Sequence, residues 1–162
     1  MTTTQTEFMK EVSDVIVENV CLTVKTLFEV DLRSEEIFGI DKVCEADFIC
    51  SVALSNGDDT AVVRFGFDYV LMERLVAKVF SEEVAADKTV LQDAGSEVAN
   101  IVSGRVKEFL NSQGHNLKAD IPNTVEGPVT CHDKNTNIDI IFYDAEDHLA
   151  VDVNLGSMAS TS

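Results

Sequence analysis

The chain has 162 residues, 45% of them hydrophobic and 25% charged, a length and balance that suit one folded domain with a substantial core. Its 12 basic against 29 acidic residues leave a net charge of −17, which argues against nucleic acid and anionic membranes as partners, since both need a basic footprint. No apolar run approaches the roughly 18 residues of a membrane span, and the opening Met-Thr-Thr-Thr-Gln-Thr-Glu has neither a basic region nor an apolar signal core, so a cytoplasmic protein is expected.

In chain order, Thr3 or Thr4 caps a long first helix reaching about Phe28, with Phe8, Val12, Val15, Ile16, Val20, Leu22, Val24 and Leu27 at helical spacing. Residues 30–44 are irregular, and Arg33-Ser-Glu-Glu36 reads as a turn. Phe48, Cys50, Val52 and Leu54 then alternate with polar or small residues. Ser55-Asn-Gly-Asp-Asp59 is a turn signal, and Thr60 to Phe67 a second strand, giving a β-hairpin. Asp68 is placed to cap a helix from Tyr69 to Phe80, and residues 81–87 form a short acidic connector. A second long helix spans Lys88 to Ser112, with Gly114 placed to end it. Leu117 to Ile121 reads as a strand reaching Pro122, and Thr124 to Cys131 as a strand broken by Gly127-Pro128. Ile138 to Tyr143 and Leu149 to Leu155 are strands around Asp144-Ala-Glu-Asp147, and residues 156–162 are small and polar, as in a frayed end. The expected fold is therefore α/β in the α+β sense. One domain, residues 1–156, packs long helices, the two longest side by side, on one face of a largely antiparallel sheet, and residues 157–162 are a flexible tail.

The second long helix carries the chemistry. Asp93, Glu97 and Asn100 stand at i, i+4 and i+7, which places them on one helix face. Ala94, Val98, Ile101, Val102 and Phe109 form the apolar stripe, centred roughly 130° from the polar one. Gly95, Ser96, Ala99, Ser103 and Gly104 flank the polar residues and leave them above a flat surface that another protein could approach. Most such stripes are solvated surface. Against that bland reading, this helix accepts Gly95, Asn100, Ser103 and Gly104 within three turns, and each interior glycine costs about 1 kcal/mol relative to alanine.

The other chemistry-bearing residues are scattered. Cys21, Cys44, Cys50 and Cys131 lack CxxC spacing, and Cys21 and Cys50 fall in apolar patterns as small core residues. His115, His132 and His148 are dispersed, and the adjacent Cys131-His132 has no second ligand pair to complete a metal site. Nothing in the sequence brings a histidine to a cysteine for nucleophilic catalysis. Gly-rich phosphate loops and a GxSxG elbow are absent. Asp14, Glu18 and Cys21 on the first helix repeat the spacing of Asp93, Glu97 and Asn100. The strands that follow each helix end in Phe-Gly-Phe-Asp68 and Ile-Phe-Tyr-Asp144, so an internal duplication is an open alternative to coincidence.

The Asp93/Glu97/Asn100 pattern resembles the active-site signature of the CheC/CheX/FliY family of bacterial chemotaxis phosphatases: Asp or Ser, three residues, Glu, two residues, Asn, and a Pro some two dozen residues on. Pro122 is the candidate for that last position, one residue closer to Asn100 than the family spacing. The layout along nearly the whole chain is most similar to CheX. The resemblance implies hydrolysis of the aspartyl phosphate on a CheY-like response regulator in chemotaxis or two-component signalling. It implies that Asn100 holds a water in line with phosphorus and that Glu97 pairs with the regulator's lysine. Asp93 is assigned a supporting role, and Ser96, Ser103 and Gly104 belong with it to the partner-binding face. It also implies that Mg²⁺ comes from the regulator rather than this chain, and that a homodimer is plausible. The pairing is physically reasonable, because phosphoryl transfer is catalysed mainly by positioning and charge stabilisation. If the duplication is real, the first copy lacks the asparagine and cannot orient a water. Two readings of other classes stay open: a non-catalytic module that binds a response regulator, as flagellar-switch components do, and a structural or sensory domain whose helix face is simply solvated.

Overall fold

The computed structural model describes residues 3–37, 45–130, 136–145 and 147–160; Cys44, Cys131 and His132 lie outside them. The elements are helix α1 (Thr3–Phe28), strands β1 (Arg33–Ile37), β2 (Glu45–Ser55) and β3 (Thr60–Phe67), helices α2 (Tyr69–Val79), α3 (Glu82–Ala85) and α4 (Lys88–Ser112), then strands β4 (Lys118–Ala119), β5 (Asn123–Thr130), β6 (Ile138–Asp144) and β7 (Asp147–Asn154), and a 3₁₀ turn (Gly156–Ser160). All strands join one antiparallel sheet in the order β1-β6-β7-β3-β2-β4, with β5 also paired to β2. This is the expected mixture of long helices and an antiparallel sheet.

The period-2 pattern of the central strands explains the layering. Phe48, Cys50, Val52 and Leu54 of β2, Ala61, Val63, Phe65 and Phe67 of β3, and Leu149, Val151 and Val153 of β7 all point into one core, together with the buried faces of the helices. α1 and α4 lie side by side over it. Ala46, Ile49 and Ala150 form a small cluster of their own, with Val129 packed against it. The β2–β3 hairpin closes through Asn56, whose side-chain oxygen accepts from the N–H groups of Asp58 and Asp59 at 3.0 and 2.8 Å, with Gly57 at φ +95°.

Several local expectations change. Arg33-Ser-Glu-Glu36 is not a turn but part of β1, paired with β6 from Arg33↔Tyr143 to Ile37↔Asp139. At a sheet edge the exposed side chains of Arg33, Ser34 and Glu35 carry no alternation, and backbone pairing decides. Asp68 makes no side-chain cap for α2. Asp47, reaching across from β2, accepts from the Tyr69 N–H at 2.8 Å, while Asp68 faces His148 at 3.2 Å. The acidic connector contains the single turn α3, capped by Ser81, whose Oγ accepts from Val84 N–H at 3.2 Å. Gly127-Pro128 does not break β5, because the register shift between Ala46 and Phe48 absorbs it. At the other end, Gly156–Ser160 forms a 3₁₀ turn within the segment expected as a tail. Met158 is buried in the core, and Gln5 of α1 donates to Ala159 O at 3.3 Å.

The topology also bears on internal duplication. Exchanging β1 with β5, β2 with β6 and β3 with β7 turns the strand order β1-β6-β7-β3-β2-β5 into its own reverse. β3 therefore corresponds to β7, not to β6 as the Asp68 and Asp144 endings suggested. Burial sets the helix register. Gly95, Val98, Ala99, Val102, Val106 and Leu110 of α4 superpose in spacing on Met9, Val12, Ser13, Ile16, Val20 and Val24 of α1, all buried. That alignment puts Asp93, Glu97 and Asn100 opposite Glu7, Glu11 and Asp14 rather than Asp14, Glu18 and Cys21. The first half thus presents three carboxylates where the second has a carboxamide.

Candidate active site

α4 starts where Asp87 accepts from Thr89 N–H at 2.9 Å, and its C-terminal turn gives way at Gly114, with φ +103°. Its buried arc is Leu91, Gly95, Val98, Ala99, Val102, Ser103, Val106 and Leu110, pressed on β2 and β3. This corrects the role given to the small residues. Gly95, Ala99 and Ser103 are buried rather than turned to a partner, and Ser103 is fully buried with no hydrogen-bond partner for its hydroxyl among the described residues, so it cannot belong to a docking face. The reason is close approach. A Cβ on Gly95 would lie 2.9 Å from Phe48 Cε2 and 3.0 Å from Phe67 Cε2. Those two rings stack at 5.1 Å, and Phe48 meets Tyr69 at the same separation. Ala94, Ile101 and Phe109, expected in the apolar stripe, are only half-buried.

The opposite side of α4 carries the polar stripe. Asp93, Glu97 and Asn100 are exposed, and Ser96 and Gly104 are half-buried beside them. The side chains of Asp93, Glu97 and Asn100 form no hydrogen bond or ion pair with another described residue, so their donors and acceptors point to solvent.

The second wall of the site comes from the chain after α4. Asn111 clamps the return: its Nδ2 donates to Leu117 O at 3.1 Å, and its Oδ1 accepts from Leu117 N–H at 2.7 Å. β4 then pairs with the end of β2 through Leu54↔Ala119 and Ser55↔Lys118, and Asp120 N–H donates to Ala53 O at 2.9 Å. These bonds hold Ala119, Asp120, Ile121 and Pro122 against Asp93, Ser96, Glu97 and Asn100 across an open groove of about 440 Å³. Pro122 thus reaches the polar stripe even though its spacing from Asn100 is one residue short. Asp120 and Ile121 were not singled out in the sequence. The available signal was an isoleucine directly before the proline, in a stretch otherwise polar or small.

A further network braces this wall. Gln92, next to Asp93, donates to the Tyr69 hydroxyl at 2.8 Å, and Tyr69 donates to Glu126 Oε1 of β5 at 3.1 Å. Burial is the main reason the Tyr69 hydroxyl titrates above the ordinary tyrosine range; the hydrogen bond from Gln92 opposes this and the nearby Glu126 adds to it. Lys88 sits 4.9 Å over the same ring.

Three carboxylates and one carboxamide therefore surround an open groove. A carboxamide offers two donors and an acceptor on a fixed plane, enough to hold a water in one orientation, and the carboxylates favour a cationic visitor. Among the described residues, no group of three or more His, Cys, Asp or Glu is placed to hold a metal ion.

The model of the family described as chemotaxis phosphatase CheX matches residues 48–145, which include every residue lining the groove. The chain belongs to the CheX family. No curated protein sequence matches it. Among solved structures it is similar to the chemotaxis protein CheX from Vibrio vulnificus, with TM-score 0.74 and 16% identity over 89% of this chain and 98% of that one. It is also similar to a chain of the CheX–CheY–BeF₃–Mg²⁺ complex from Borrelia burgdorferi, with TM-score 0.66 and 12% identity over 87% of this chain and 95% of that one. The FliM middle domain from H. pylori has TM-score 0.63 and 10% identity over 98% of this chain and 95% of that one. At these identities the likeness is one of fold. No helix among the described residues is long and apolar enough to cross a membrane.

Proposed function

We propose that this CheX-family chain is a phosphatase for the aspartyl phosphate of a CheY-like response regulator. Asn100 enters the regulator's phosphorylation site and holds a water in line with phosphorus. The water oxygen bonds to phosphorus as the bond to the aspartyl oxygen breaks, which frees phosphate and restores the aspartate. Glu97 pairs with a lysine of the regulator and fixes the docked geometry, and Asp93 extends the acidic face. Mg²⁺ belongs to the regulator's site and supplies charge neutralisation at the phosphoryl oxygens. A cytoplasmic setting goes with such a substrate.

The observation that carries this reading is the exposed Glu97–Asn100 pair, without a partner among the described residues, on a helix locked to the sheet and facing Pro122 across the groove. Rigid placement matters because orienting a water is a positional effect and yields rate only if the carboxamide is already in place. The complex of CheX with CheY from Borrelia burgdorferi gives the partner class a precedent. The test is the decay of phosphorylated receiver domains with this protein and with Asn100→Ala: accelerated decay with the first and not the second is expected.

The FliM-like fold favours a second reading, a regulator-binding module without turnover. It is distinguished by tight binding with no acceleration of decay.

A further inference from the structure

Among the described residues Ile121 is the most exposed large hydrophobic one, at 90%, and it lines the same groove as Glu97 and Asn100. It contributes almost nothing to the fold. The preceding apolar residue, Leu117, is buried at 3%, and the Asp120 N–H bond to Ala53 O on one side and Pro122 on the other hold the isoleucine outward. An isoleucine whose backbone is fixed on both sides beside a polar site leaves only its side-chain rotamers to be ordered when a partner arrives. The remainder of the groove is Asp93, Ser96, Glu97, Asn100, Ala119, Asp120 and Pro122, so Ile121 is its one large apolar side chain.

We infer that Ile121 is the apolar anchor of the docking surface and selects regulators that present an apolar patch beside their phosphorylation site. This rests on the phosphatase reading above and adds the chemistry of the partner to it. A receiver domain that brings its phosphoryl group to Asn100 must lie across the same groove, and Ile121 is then covered by whatever surface flanks the phosphorylation pocket. An apolar flank buries it. A charged flank leaves a desolvated charge against a methyl group and is rejected. Asp93, Glu97 and Asp120 supply attraction for a basic feature of the partner, while Ile121 supplies contact area that salt does not weaken.

The test is steady-state kinetics of the full chain on a panel of phosphorylated receiver domains from the same genome, using unmodified protein, Ile121→Asp and Ile121→Leu. Because the residue is exposed, all three should fold alike, as checked by circular dichroism and melting temperature. Ile121→Asp is expected to raise KM for the cognate regulator by roughly tenfold or more, the scale of losing one buried aliphatic side chain. Its kcat should stay within about twofold, and Ile121→Leu should restore KM. Raised salt should leave the Ile121→Leu advantage in place. An unchanged KM in Ile121→Asp, while the unmodified protein is active, would overturn the anchor and spare the phosphatase. No activity of the unmodified protein on any member of the panel would overturn both.

Discussion

Gly95 and Gly104 sit nine residues apart on the same helix but face opposite environments, which makes them a matched test of how α4 is seated. Replacing either by alanine gains about 1 kcal/mol of helix propensity. At Gly104 nothing lies within 4 Å of the new methyl group, so Gly104→Ala should stabilise the protein by close to that amount. At Gly95 the methyl lands 2.9 and 3.1 Å from atoms of Phe48 and 3.0 Å from Phe67. Both rings are essentially inaccessible and stacked on each other, and Phe48 is also backed by Tyr69, so neither swings aside freely. Overpacking of this kind costs about 1–3 kcal/mol, which equals or exceeds the propensity gain. The two variants should therefore differ by about 2 kcal/mol, or roughly 4–8 °C in melting temperature for a domain of this size. Calorimetry or chemical denaturation of both variants gives the comparison. Equal stabilisation by the two substitutions would refute the tight seating of α4 and, with it, the rigid presentation of Asn100.

Other outcomes follow from single contacts. Asp47→Ala removes the acceptor for Tyr69 N–H at the start of α2 and should lower stability by about 1 kcal/mol, whereas Asp68→Ala should leave the helix cap intact; urea titration compares them. Leu110→Ala, at a fully buried position under α4, should cost about 2–5 kcal/mol by the same method. Tyr69 should ionise above the ordinary tyrosine range, seen as delayed phenolate absorbance on alkaline titration. Because its folded-state value is raised, the contribution to stability is complete below about pH 10 and is lost as pH rises through the folded value, so Tyr69→Phe should flatten stability there. Glu97→Ala should raise KM several-fold with little change in kcat, since an interfacial ion pair acts mainly on docking.

The motif helix and the central hairpin were legible because their periodicities are strong and locally consistent. The polar stripe could be placed on a helix face from spacing alone. What escaped was what the helix packs against. Gly95, Ala99 and Ser103 looked like concessions to a visiting protein, yet all three are buried, and Gly95 is a concession to Phe48 and Phe67, residues distant in sequence that no helical wheel contains. β1 was missed for a related reason: its polar residues are held by pairing with β6, not by a buried face. The groove needed the Asn111 clamp and the β4–β2 pairing to carry Pro122 and Ile121 back to the helix, and neither contact leaves a pattern in sequence. The correspondence between the two long helices suggested by acid spacing sits two helical turns from the one that shares a burial pattern, because acid spacing recurs more readily than a full burial pattern.

The central claim is that Asn100 orients the attacking water, and it is tested most directly by kcat at saturating phosphorylated regulator, with Asn100→Ala compared with the unmodified protein and binding measured in parallel. The account predicts that kcat falls about a hundredfold, corresponding to roughly 3 kcal/mol of barrier, while affinity for the regulator changes little. An Asn100→Ala protein that turns over at the unmodified rate would contradict it.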